Sequence, residues 1–281
     1  MTKQFTNLYI FGDSYSDIGN AFNATGGVLA APPNYSGRFS SGHLWVDYLS
    51  DRLKISLQAS TEKTLNKQGI NFSFAGATTG LDNLFPMVIP DLPELPGLQQ
   101  QIHSFTSLLQ QSQQSADPNA LYVVWAGAAD YAPFVNGVPK YSDTITTITN
   151  ISTAIKALTE SGAKNILLVN LIDISKTPLA LEINHTTDSQ LVSQLISEHN
   201  QALEEIAHSF EHKINLILFD VKSVVDEILA YPKKFGFINT TQACSLVESS
   251  DPDEYVFWDQ VHLTGRVNQL IANAALGRFE K

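Results

Sequence analysis

Five short apolar runs recur along the chain, each ending in small or polar residues. Leu8-Tyr9-Ile10-Phe11, Ile70 to Phe74, Ala120 to Ala126, Asn165 to Ile172 and Ile214 to Phe219 read as strands. Between them, apolar residues recur at helical spacing. Leu44, Trp45, Tyr48, Leu49 and Leu53 form one such stripe, and Ile102, Phe105, Leu108 and Leu109 form another within 99–114. Ile145, Ile148, Ile151, Ile155 and Leu158 form a third, closed by Gly162. Further helices are predicted over Thr187 to His212, over Val221 to Ala230 capped by Asp220, and over Thr264 to Phe279. Asn23 to Ser41, Leu81 to Pro96 and Tyr231 to Trp258 read as irregular. Strands alternate with helices, without internal repeats or an interdomain linker. This predicts one three-layer α/β/α domain spanning residues 1–281, with a mainly parallel five-stranded sheet.

Composition agrees with a globular enzyme: 43% of residues are hydrophobic and 16% charged. The formal net charge of −11 repels phosphate backbones, so no nucleic-acid partner is expected, and adhesion to anionic membranes is disfavoured. The single cysteine, Cys244, excludes an intrachain disulfide. No apolar run is long enough to span a bilayer, and no basic region followed by an apolar stretch opens the chain. A soluble protein is expected, either cytoplasmic or exported with its signal already removed.

Candidate chemistry gathers where apolar runs stop. The first strand ends in Gly12-Asp13-Ser14-Tyr15-Ser16-Asp17, and the carboxyl ends of strands in an open α/β sheet are where ligands bind. Ser14 is the candidate nucleophile; the competing reading is that these residues only cap the next helix. After the second strand, Gly76 would let a backbone N–H approach a reacting oxygen, although on spacing alone an ordinary tight turn is the better explanation. Asp259 and His262 lie three residues apart, so the carboxylate can hold one imidazole nitrogen and leave the other for a serine hydroxyl. Alone, that spacing is a common helix start; with the Ser14 turn it points to nucleophilic catalysis. Leu84, Phe85, Met87, Val88 and Ile89 crowd among Pro86, Pro90, Pro93 and Pro96. That loop either lines an acyl pocket, through Phe85 and Met87, or forms a lid, or packs on the core. His199 and His208, nine residues apart, do not suit a metal pair and read as surface or capping residues. No metal or cofactor is expected.

Phe11 to Asn20 resembles the first block of the GDSL lipase/esterase family, the SGNH hydrolases, and the likeness extends from Tyr9 to about Ile271. No Gly-x-Ser-x-Gly occurs, which argues against the ordinary α/β-hydrolase arrangement. The resemblance implies a flavodoxin-like SGNH fold and a Ser14–His262–Asp259 triad. It implies an oxyanion hole formed by the N–H groups of Ser14 and Gly76 and a side-chain amide. The block supplying that amide is usually Gly-x-Asn-Asp, whereas this chain has Gly127-Ala128-Ala129-Asp130. A methyl group donates no hydrogen bond. Ala129 marks either a naturally impaired variant or a deliberate change, and its intact flanks favour the latter. Gly37-Arg38-Phe39-Ser40 resembles a family loop beside the site, and Leu263 replaces a usual proline in the last block. The implied activity is hydrolysis of a small-molecule or lipid ester through an acyl-serine. The alternatives are acyl transfer by the same intermediate, or a catalytically silent binding relative.

Overall fold

The computed structural model describes residues 4–62, 68–136, 143–183 and 186–279. Its main sheet is built from β1 (Leu8–Gly12), β2 (Gln58–Ala59), β3 (Gly69–Asn71), β4 (Leu121–Trp125), β5 (Asn165–Val169) and β6 (Asn215–Phe219). The helices among these are α1 (Asn20–Ala24), α2 (Trp45–Leu53), α3 (Leu84–Val88), α4 (Leu98–Gln111), α5 (Ala128–Asn136), α6 (Thr144–Ser161), α7 (Pro178–Ile183) and α8 (Thr186–Phe210). The chain closes with α9 (Val221–Ala230), strands β7 (Asn239–Ala243) and β8 (Tyr255–Phe257), and α10 (Gly265–Gly277).

The strands are parallel in the order β2-β3-β1-β4-β5-β6. Parallel strands need crossovers, and the crossover helices cover both faces, so the central strands β1, β4 and β5 are apolar on both sides. Leu8 and Ile10, Leu121 and Val123, and Leu167 and Val169 face one layer, with Trp45, Leu49, Val267 and Ile271 from α2 and α10. The alternate residues Phe11, Tyr122, Val124, Ile166 and Leu168 face the other, with Ile102, Phe105, Ile151 and Ile155 from α4 and α6. After β1 the chain first builds outward through β2 and β3, then returns to place β4 on the other side of β1. That reversal opens a crevice at the carboxyl end of β1, where Ser14 lies.

Five expectations need correction. Leu81 to Pro96, read as irregular, holds the short helix α3, started by Asn83, whose side chain accepts from the Phe85 N–H. The sheet has six strands, not five, because β2 is only two residues long and leaves no periodic pattern. The segment read as irregular after Tyr231 carries the parallel pair β7-β8, whose first strand is largely polar. Leu108 and Ile145 are exposed, at 39% and 80%. Leu108 lies six residues beyond Ile102, about 240° around the helix and off the inward stripe, while Ile145 projects from the first turn of α6 beyond the core. His199 is neither a surface nor a capping residue: it is fully buried. It shares the inward stripe of α8 with Val192, Ile196, Leu203 and Ile206, and its Nδ1 lies 3.1 Å from the Tyr131 hydroxyl. Among the described residues, no helix is long and apolar enough to cross a membrane.

Candidate active site

Ser14 follows β1 in a turn fixed from several directions. Gly12 makes the closest approach: a Cβ there would sit 1.9 Å from the Trp125 carbonyl oxygen on β4, so no side chain fits. Its N–H donates to Gln101 Oε1 and its carbonyl accepts from Gln101 Nε2, each at 2.8 Å. Gln101, buried on α4, therefore continues the ladder where the strand runs out. Below Ser14, the buried Asp17 carboxylate accepts from the N–H groups of Gly19, Asn20 and Ala21 at the start of α1, and from Ala75 N–H at 2.8 Å. One carboxylate thus ties the Ser14 turn to the Ala75-Gly76 turn. Asn71 Nδ2 adds a 2.6 Å bond to the Ser16 carbonyl.

Asp259 and His262 arrive from the segment before α10. The Ser14 hydroxyl lies 2.8 Å from His262 Nε2, and His262 Nδ1 lies 2.8 Å from Asp259 Oδ2 and 3.0 Å from Oδ1. Asp259 Oδ1 also accepts from the N–H groups of Val261 and His262, so the carboxylate is held by its own turn. Burial pushes the Asp259 carboxyl up, but the His262 charge and these hydrogen bonds outweigh it and hold the group below its ordinary range. Aromatic rings fix the imidazole: Phe39 stands 4.9 Å and Tyr15 5.7 Å from its centroid. Burial keeps the Tyr15 phenol protonated, and it donates to the Val261 carbonyl. Arg38 makes a two-pronged bond to Asp47 at 2.7 and 2.8 Å, which anchors the Phe39 loop on α2.

A cavity of about 170 Å³ opens beside Ser14 and His262. Gly76, Ala129, Phe85, Leu84, Thr177 and Leu179 are among the residues that line it. Gly76 has φ +76°, and a Cβ there would meet Asn83 Oδ1 and the Phe85 ring, each at 2.6 Å. Asn83 pins α3 over this turn: its Nδ2 donates to the Ala75 carbonyl, its Oδ1 accepts from Phe85 N–H, and Leu84 N–H donates to the Gly76 carbonyl. Ala129 is 7% exposed at the start of α5 and presents only a methyl group. Its neighbour Asp130 accepts from the Thr79 N–H and hydroxyl. Of the two loop residues named from the sequence, Phe85 lines the cavity and Met87 does not; Met87 is 47% exposed.

The structure therefore brings Ser14, His262, Asp259, Gly76, Ala129 and Phe85 to one place. Sequence reasoning missed Gln101, Asn83 and Thr177. Gln101 stands in a polar-looking helix, one residue before the inward Ile102, so nothing in the pattern separates it from its exposed neighbours. Among the described residues, no group of three or more His, Cys, Asp or Glu side chains could hold a metal ion.

A sequence profile of the family described as GDSL-like lipase/acylhydrolase matches residues 8–275. The chain belongs to this family. Across this GDSL chain, similarity reaches curated relatives of more than one kind. It is 24% identical to a thermolabile hemolysin of Vibrio parahaemolyticus, over 97% of this chain and 63% of that protein. It is 29% identical to a phosphatidylcholine-sterol acyltransferase of Aeromonas hydrophila, over 96% of this chain and 78% of that protein. The GDSL chain thus spans less than two thirds of the hemolysin. Among solved structures, an acetylxylan esterase of Geobacillus stearothermophilus superposes with a TM-score of 0.54 at 14% identity, covering 100% of this chain and 97% of that one. This likeness supports the α/β fold with its parallel central sheet.

Proposed function

We propose that this GDSL protein is a serine ester hydrolase working through an acyl-serine intermediate, with residues 1–281 acting as one hydrolase domain. The observation that carries the reading is the unbroken line of hydrogen bonds from Asp259 through His262 to Ser14, at the mouth of a mostly apolar cavity. His262 Nε2 takes the Ser14 proton as Oγ attacks the ester carbonyl, and returns it to the departing alcohol. Asp259 selects the tautomer with Nδ1–H and stabilises the imidazolium. The backbone N–H groups of Ser14 and Gly76 stabilise the oxyanion, and water then releases the acid. No metal or organic cofactor takes part, and a small-molecule or lipid ester is the substrate.

The test is a phosphonate probe together with short-chain p-nitrophenyl esters. Ser14 is expected to be labelled, and Ser14→Ala to lose both labelling and hydrolysis while keeping its melting temperature. His262→Ala should cost nearly as much, and the double variant little more, because such residues act as a unit. Hydrolysis undiminished in Ser14→Ala would overturn the reading. A second reading, transfer of the acyl group to an alcohol, is favoured by the acyltransferase relative. An added acceptor alcohol that diverts product from acid to ester would distinguish it.

A further inference from the structure

The buried carboxyl of Asp13 has no part in the mechanism above, although it stands beside the nucleophile. Asp13 lines the same cavity as Ser14, Gly76, Ala129 and His262 and is only 1% exposed. Its Oδ1 accepts the Tyr15 N–H at 3.1 Å, while Oδ2 is buried and has no hydrogen-bond partner among the described residues. The Ala128 N–H is near enough to act on the carboxyl only as the least of the influences on it. An unpaired carboxylate at this depth is costly, whereas a carboxylic acid carries one O–H that needs an acceptor. The bare methyl of Ala129 offers none. A developing oxyanion at the neighbouring Ser14 would be one.

We propose that Asp13, as the neutral acid, donates its Oδ2–H to the oxyanion and replaces the side-chain amide missing at position 129. This rests on the acyl-serine reading. The step is a hydrogen bond with no net proton transfer, so the covalent chemistry at Ser14 is unchanged. The titratable groups facing Asp13 are Tyr15 in its own turn, Asp130 on α5 and His262 before α10. Burial is the largest influence and raises the Asp13 carboxyl to about 7; the Tyr15 N–H and the His262 charge act the other way, and Asp130 adds to the rise. The donor form is therefore present below about pH 7 and lost above it. In the tetrahedral intermediate, imidazolium and oxyanion arise together, so their pulls on the Asp13 proton oppose one another.

The experiment is kcat against pH, from 5.5 to 8.5, on a p-nitrophenyl ester corrected for spontaneous hydrolysis. The parent is expected to lose about tenfold per pH unit above its inflection, as the acid form is depleted. Asp13→Asn, a permanently neutral donor of the same shape, should abolish the alkaline decline and keep the rate at pH 6 within a few-fold. Asp13→Ala should cost about 10²–10³ in kcat at pH 6 with little change in KM. Ala129→Asn restores the amide, so its gain should be small at pH 6 and about tenfold at pH 8, where about a tenth of Asp13 remains protonated. A decline that persists in Asp13→Asn, a parent profile without one, or an Asp13→Ala variant as fast as the parent would overturn the proposal. If Asp13→Ala does not fold, the Asn profile decides. Ser14→Ala separates the two levels: if it kills activity while the Asp13 variants behave like the parent, only the proposal fails, and if it retains activity, the acyl-serine reading fails with it.

Discussion

Phe85 and Met87 sit two residues apart on α3, yet only Phe85 reaches the cavity. Two residues turn a helix by about 200°, so neighbours at that spacing cannot share a face. Phe85 stacks on Phe39 at 5.7 Å, and Phe39 in turn packs against the His262 ring. One side chain therefore bounds the cavity beside Ser14 and, through Phe39, supports the imidazole proposed as general base. Phe85→Ala should enlarge the cavity and shift preference from acetyl toward longer acyl esters. Its acetyl-ester rate should also fall by up to about tenfold, since an aromatic pair contributes about 0.5–1.5 kcal/mol. Met87→Ser should leave the chain-length profile alone. Rates across a series of p-nitrophenyl esters check both, and a profile that moves with Met87 instead would remove α3 from the acyl site.

At the scale of elements, the strand carrying Ser14 is completed by a helix. Gln101 from α4 accepts the Gly12 N–H, and it shares the Gly12 carbonyl with the Phe74 N–H. Gln101→Ala leaves the buried Gly12 N–H without its acceptor, at a cost of about 1–3 kcal/mol, and loosens the turn holding Ser14. Denaturant unfolding should show a loss of about 1–3 kcal/mol, with a lowered kcat. Gln101→Leu should lose comparable stability despite keeping the volume; equal stability to the parent would mean that the side chain serves only as packing. This element also marks where the sequence is readable. β1, β4, β5 and β6 announce themselves because a strand covered on both faces is an unbroken apolar run, and the Gly12-Asp13-Ser14 and Asp259-to-His262 segments stand out by residue type. Gln101, Asn83 and the two-residue β2 carry no such mark, since their roles come from partners 89, 8 and 12 residues away. His199 is an intermediate case. Its place in the 192, 196, 199, 203, 206 stripe predicts burial, and only a polar residue's habit of facing water argues the other way.

For the whole molecule, two buried titratable groups pull stability in opposite directions with pH. Burial raises the Asp13 carboxyl from 3.8 to about 7, so the folded protein holds a proton that the unfolded chain has released. Its contribution is fully present below pH 3.8 and is lost as pH rises to about 7, at about 1.4 kcal/mol per unit. Burial lowers His199 from 6.5 to about 3, so there the unfolded chain binds the extra proton. That contribution is present above pH 6.5 and is lost as pH falls toward 3. Between about pH 4 and 6.5 the two slopes nearly cancel, and these groups leave the parent almost flat. Single substitutions expose them. Asp13→Asn removes the falling limb, so its melting temperature should climb from pH 4 to 6.5 and exceed the parent's most clearly at pH 8. His199→Gln keeps a partner for Tyr131 and removes the rising limb, so its stability should fall with pH over the same window. The slope decides, because each substitution also changes the level through packing. Melting curves for the three proteins at half-unit pH steps make the comparison, and parallel slopes would mean that neither group is held out of its ordinary range.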